Sequence, residues 1–135
     1  MSAFTEAENT YLDSQRLGRL ATLGPGGAPQ ARPVAFTLNR DLGTVDIGGH
    51  RLASSRKYRN IQTDNRIAFV VDDLASTDPW SPRGIEIRGT AELLVADPLR
   101  PGFSAELIRI HPQRIVAWGL DTDAFAPPHS RNVGS

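Results

Sequence analysis

Twelve residues near the middle of the chain restrict its fold more than any other stretch. From Gly84 to Val95, apolar and polar positions alternate: Ile85, Ile87, Gly89, Ala91, Leu93 and Val95 against Glu86, Arg88, Thr90 and Glu92. A period of two over this length predicts a long strand with one face on a core. The same reading extends to both sides. Residues 17–23 read as a strand, Gly24-Pro25-Gly26-Gly27-Ala28-Pro29 is a dense turn signal, and 30–38 alternate again, with Arg32, Val34, Phe36 and Leu38 on one face. Strand, turn and strand at this spacing predict a hairpin. Pro33 lacks a ladder donor, which places it at an edge, a bulge or a gap facing a ligand. Further strands are predicted at 44–48, 66–71 and 110–120.

Two helices complete the pattern. Thr5 caps a predicted helix over 5–15 whose first turn holds Glu6 and Glu8, where the helix dipole favours acids. A second begins after Gly48-Gly49, with Ser54 or Ser55 as cap and Tyr58 and Ile61 on one face. Residues 74–83, with Pro79, Trp80 and Pro82, read as a loop closing the run at Asp72-Asp73. Residues 103–109 read as a turn of helix, and His111-Pro112 as a turn. Six antiparallel strands with a short N-terminal helix and a helix after the third strand predict a mainly β fold, a small barrel. Residues 1–120 read as the barrel domain. The tail, 121–135, is expected to be mobile or packed at a dimer interface.

Composition matters here for what it excludes. The chain has 135 residues and a formal net charge of zero, which argues against a general nucleic-acid or acidic-membrane binder. It has no cysteine, so disulfides, thiolate metal sites and cysteine nucleophiles are absent. No apolar stretch approaches a membrane span, and residues 1–9 lack the apolar core of a signal peptide. A cytoplasmic protein is the expectation. His50, His111 and His129 do not share a metal-ligand spacing, so no metal site is predicted.

Against this neutral background one segment is strongly basic. Of the 15 lysines and arginines, Lys57 is the single lysine, and it lies in His50-Arg51-Leu52-Ala53-Ser54-Ser55-Arg56-Lys57-Tyr58-Arg59-Asn60. No acid occurs between Asp46 and Asp64 to pair with it. At a helix start, the Ser54 and Ser55 hydroxyls, free backbone N–H groups and the positive end of the dipole converge. Arginine adds a planar fork and lysine a compact charge, a combination suited to phosphate.

Three segments in order, Gln30-Ala31-Arg32-Pro33-Val34-Ala35-Phe36, Asp46-Ile47-Gly48-Gly49 with Ser54 to Ile61, and Trp80 to Glu92, give the chain a resemblance over roughly residues 5–120. It resembles the pyridoxamine 5'-phosphate oxidase-like superfamily of split β-barrels, and within it the actinobacterial branch that uses coenzyme F420. The resemblance implies a six-stranded antiparallel split barrel and a homodimer with two cofactor sites at the subunit interface. It also implies F420, or flavin mononucleotide (FMN) as the alternative, serving hydride transfer to an activated double bond of a small molecule. A non-catalytic carrier of the same cofactor is the third reading. By the same likeness, Pro33 and Val34, beside Arg32, line the ring. Ile47, Gly48 and Gly49 pass the ribityl chain, and Ser54, Ser55, Arg56 and Lys57 take the phosphate. Trp80 or Trp118 stacks on the ring. Arg51, Arg59 and Arg131 are candidates for the acidic tail of F420, and His50 for a phosphate contact. No residue is assigned a catalytic role.

Overall fold

The computed structural model describes residues 3–134. Helix α1 (Glu6–Ser14) starts at Thr5, whose side chain accepts from the Glu8 N–H while the Glu8 carboxylate accepts from the Thr5 N–H, a reciprocal capping box. Eight strands follow: β1 (Leu17–Leu23), β2 (Pro29–Ala35), β3 (Thr37–Asn39), β4 (Thr44–Ile47), β5 (Arg66–Thr77), β6 (Trp80–Val95), β7 (Glu106–Trp118) and β8 (His129–Asn132). Helix α2 (Arg56–Thr63) lies between β4 and β5.

All pairings are antiparallel, in the order β2-β1-β5-β6-β7-β4-β3. β2 and β3 occupy opposite ends of that order, yet only Phe36 separates them in the chain. The sheet must therefore curl until its two edges meet, which makes it a split barrel. Phe36 is buried at this corner and meets Phe69 edge-on, with ring centroids 5.3 Å apart. Phe69 is fully buried and packs against Gly18, where a β-carbon would collide with its ring. Ile85, Ile87, Ile108, Ile110, Ile115, Val45, Val71 and Leu20 fill the remaining interior.

The predicted alternation of β6 holds at Ile85, Ile87, Gly89 and Ala91, all buried, and fades at Val95, which lies past the core's edge and is 76% exposed. The strand count rises from six to eight because residues 30–38 divide at Phe36 and the tail contributes β8. β8 pairs with β7 at 114–117, next to the stretch of β7 (108–110) that pairs with β4.

Three local expectations are corrected. Residues 74–83 are not a loop: β5 and β6 continue as one hairpin to a turn at Asp78-Pro79, and Asp73 lies within β5. Pro82 is tolerated because that part of β6 pairs only with β5, leaving one side of the strand with no ladder to complete. Residues 103–109 are not helical; β7 begins at Glu106. His111-Pro112 is not a turn but mid-strand, where the β6–β7 register shifts at Arg88/Gly89, and such a bulge accommodates proline.

Candidate functional site

The second helix begins as its sequence requires. Ser55 is the N-cap, with its Oγ accepting from the Tyr58 N–H (3.4 Å) and donating to the Leu52 carbonyl (2.6 Å). Ser54 lies one residue earlier in a 3-10 turn and donates to the Arg51 carbonyl (2.9 Å). Both hydroxyl protons are thus committed to backbone, while their oxygens retain acceptor capacity.

The first turn of α2 faces the β1–β2 hairpin. Between them lies a cleft of about 610 Å³ lined by Leu20, Thr22, Pro25, Gln30, Ala31, Arg32, Arg56 and Lys57. Arg32, from β2, thereby joins Arg56 and Lys57, from α2, although 24 and 25 residues separate them in the chain. Among the described residues none of the three makes an ion pair or a hydrogen bond to an acid. Burial, and then the neighbouring Arg32 guanidinium, pull the Lys57 pKa below the ordinary lysine value. Uncompensated cations around a concave site favour an anion, and two arginine forks with an ammonium suit phosphate or carboxylate.

Other predicted site residues fall elsewhere. Val34 is buried beneath β2, and Pro33 is exposed on that edge strand beside Arg32. Ile47 is fully buried, and Gly48 and Gly49 do not line the cleft. Gly48 packs against the Phe103 ring, which a β-carbon there would approach within 2.8 Å. The Gly49 carbonyl accepts from the Ser104 N–H (2.9 Å) and Oγ (3.1 Å). His50 is exposed; its Nδ1 donates to the Gly102 carbonyl (2.7 Å) and its ring meets Phe103 edge-on.

Trp80 stands at the tip of the β5–β6 hairpin, beside a separate cleft with Asp123 and Phe125, and is 56% exposed. Trp118 packs over Gly84, where a β-carbon would lie 2.5 Å from its ring. Arg131 is not a free cation. It holds the buried Glu8 carboxylate through Nη1 (2.8 Å) and Nη2 (2.6 Å) and also donates to the Ala3 carbonyl (2.7 Å). Arg51 and Arg59 are exposed and have no acidic partner among the described residues.

Sequence reasoning missed the cleft's floor, Thr22 and Gln30, and the residue that joins them to the helix, Asn60. The available signal was spacing: Asn60 follows Lys57 by three positions and so shares its helical face.

A profile of the pyridoxamine 5'-phosphate oxidase family matches residues 4–130. The chain belongs to that family. The 5a,11a-dehydrotetracycline/5a,11a-dehydrooxytetracycline reductase of Streptomyces rimosus is 44% identical over 132 residues, covering 96% of this chain and 93% of that enzyme. The family member described here is accordingly an oxidoreductase. Among solved structures, a heme binding protein from Mycobacterium smegmatis superposes with a TM-score of 0.73 at 20% identity, over 98% of this chain and 60% of that one. A conserved hypothetical protein from Mycobacterium tuberculosis gives 0.70 at 23% identity, over 99% and 94%. At such identities these two establish the fold. No described helix is long and apolar enough to cross a membrane.

Proposed function

We propose that this chain is a cytoplasmic, homodimeric F420-dependent reductase that adds hydride to an activated double bond of a polycyclic enone. The observation that carries the reading is the cleft where Arg32, Arg56 and Lys57 converge with no acid among them. The donor set suits a phosphate, which F420 and FMN both carry. Arg51 and Arg59, exposed near the same helix start and without an acidic partner among the described residues, extend the positive field beyond the phosphate and favour the acidic tail of F420.

When bound, reduced F420 supplies the hydride, and the protein supplies grip and orientation. Lys57, Arg56 and Arg32 would hold the phosphate, and the exposed β2 edge at Pro33 would offer backbone to the ring. Trp80, exposed at its hairpin tip and lining a different cleft from the three cations, would stack on the ring of the partner subunit's site. The substrate class follows from the reductase of Streptomyces rimosus, whose substrates are dehydrotetracyclines.

Titration with F420 and with FMN, followed by fluorescence, tests the cofactor. Micromolar or tighter binding of F420 with weaker FMN is expected; the reverse assigns FMN. Lys57→Ala should then weaken the favoured ligand by about 1.5–3 kcal/mol. Unchanged affinity removes Lys57 from the phosphate site. Incubation of reduced F420 with polycyclic enones and quinones tests turnover, and no oxidation above background converts the reading to a carrier.

A further inference from the structure

The cation cleft contains a mechanical conflict. Lys57 loses hydration where α2 meets the hairpin and is repelled by the Arg32 guanidinium across the cleft. Something must set the position of this end of α2 against the hairpin.

Asn60 does this. It is buried at 5% exposure, one turn after Lys57 and on the same face. Its Nδ2 donates one hydrogen to Thr22 Oγ1 on β1 (3.0 Å) and the other to Gln30 Oε1 on β2 (2.8 Å). Among the described residues these are the only side-chain hydrogen bonds from α2 to the β1–β2 hairpin. Gln30 is itself aimed by its surroundings. Its amide lies so close to Gly24 that a β-carbon there would stand 2.5 Å from Nε2, and the turn is closed by the Gly24 N–H donating to the Ala28 carbonyl (2.8 Å).

We propose that Asn60 is a positioning residue for the anion site: its doubly donating carboxamide fixes the distance between Lys57 on α2 and Arg32 on β2. The latch preorganises the cations, so that ordering them does not have to be paid for on binding. This rests on the phosphate reading of the cleft and deepens it. The latch governs affinity for the phosphate more than for the ring, since what it fixes is the spacing of the cations.

The test separates those two parts of the ligand. Dissociation constants are measured for F420 and its phosphate-free deazaflavin alcohol, and for FMN and riboflavin. The ratio of the phosphate-free to the phosphate-bearing dissociation constant reports phosphate recognition alone for riboflavin and FMN, and phosphate together with the acidic tail for the deazaflavin pair. Asn60→Ala should lower the ratio about tenfold, with the phosphate-free ligand changed less than about twofold. Thr22→Val, which keeps shape and deletes the acceptor, should lower it by several-fold, whereas Thr22→Ser should retain the wild-type ratio. Gly24→Ala, at a backbone conformation open to alanine, should push Gln30 off Asn60 and reproduce the Thr22→Val effect.

Equal weakening of both ligands in a pair, or an unchanged ratio in folded Asn60→Ala and Thr22→Val, would overturn the proposal. If Lys57→Ala collapses the ratio and those two variants do not, only the positioning role fails. A wild-type ratio near one overturns the phosphate reading and the positioning role together.

Discussion

The Glu8–Arg131 region and the Lys57 cleft use cations in opposite ways. At the first, Arg131 reaches from β8 to a buried carboxylate on α1, and nearby Arg83 grips Asp73, which also accepts from Tyr11 Oη (2.8 Å). Desolvation first, and then the hydrogen bond to Asp73, push the Tyr11 hydroxyl far above the ordinary tyrosine range. Asp46 and Arg109 make a third such pair across β4 and β7. In each of these the cation is satisfied within the fold. Around Lys57 it is not, and the chain's zero net charge conceals this segregation. A paired arginine holds elements together; an unpaired one in a concave site waits for a ligand. The contrast predicts that removing charge at the first region costs stability, and removing it at the second costs binding.

The largest expected effect tests the paired side. Glu8→Gln loses the charge that Arg131 is buried against and weakens the acceptor in the Thr5 capping box. It should destabilise the protein by about 2–3 kcal/mol in chemical denaturation, somewhat less than a fully buried pair because the Arg131 side chain is 27% exposed. Affinity for the phosphate ligand should not change. A comparable loss of affinity at constant stability would erase the distinction between the two regions.

Stability against pH should show both regions at once. The Arg83 hydrogen bonds hold Asp73 below the usual carboxylate value, and Arg66 holds Asp64 at about 2. Their stabilisation is present above the unfolded value of 3.8 and is lost as pH falls toward 2, because the unfolded chain takes up the protons first. Lys57 is shifted in the same direction, but its charged form is the one the fold penalises. Its folded pKa lies below 10.5, so the unfolded chain binds more protons in that interval and stability rises as pH climbs toward 10.5. Lys57→Met should abolish the alkaline rise and leave the acid limb intact, with neutral-pH stability unchanged or raised by up to about 0.5 kcal/mol. An alkaline rise that survives the substitution assigns it to another group.

Much of this division was legible in the chain, and the illegible part has a physical reason. The Thr5 and Ser55 caps, the β6 alternation and the acid-free basic segment are local patterns. Arg32 could be placed beside Lys57 only through the family resemblance, since nothing local links β2 to α2. The role of Arg131 was missed because His129–Asn132 has no strand signature: β8 is held by backbone pairing with β7 and by a carboxylate on α1, 123 residues away. Gly48 reads from sequence as a point of close approach, and the close approach seen in this fold is that of the Phe103 ring, a neighbour 55 residues away that no local pattern announces. Asn60 was hidden because its partners lie on two other strands.

The smallest expected effect concerns Arg51, the only described non-glycine residue with a positive φ, at 52°. A side chain there costs about 1 kcal/mol, and glycine would remove that strain at a cost of about 0.5 kcal/mol in unfolded-chain entropy. Arg51→Gly should therefore stabilise the protein slightly, by about 0.5 kcal/mol. By contrast with Glu8→Gln, it removes a cation at no cost to the fold. If Arg51 serves the acidic tail, F420 affinity falls several-fold while FMN affinity holds, because only F420 extends past the phosphate. Equal loss for both ligands would mean that the left-handed turn shapes the phosphate loop itself, and that the backbone strain at Arg51 is retained for geometry and not for charge.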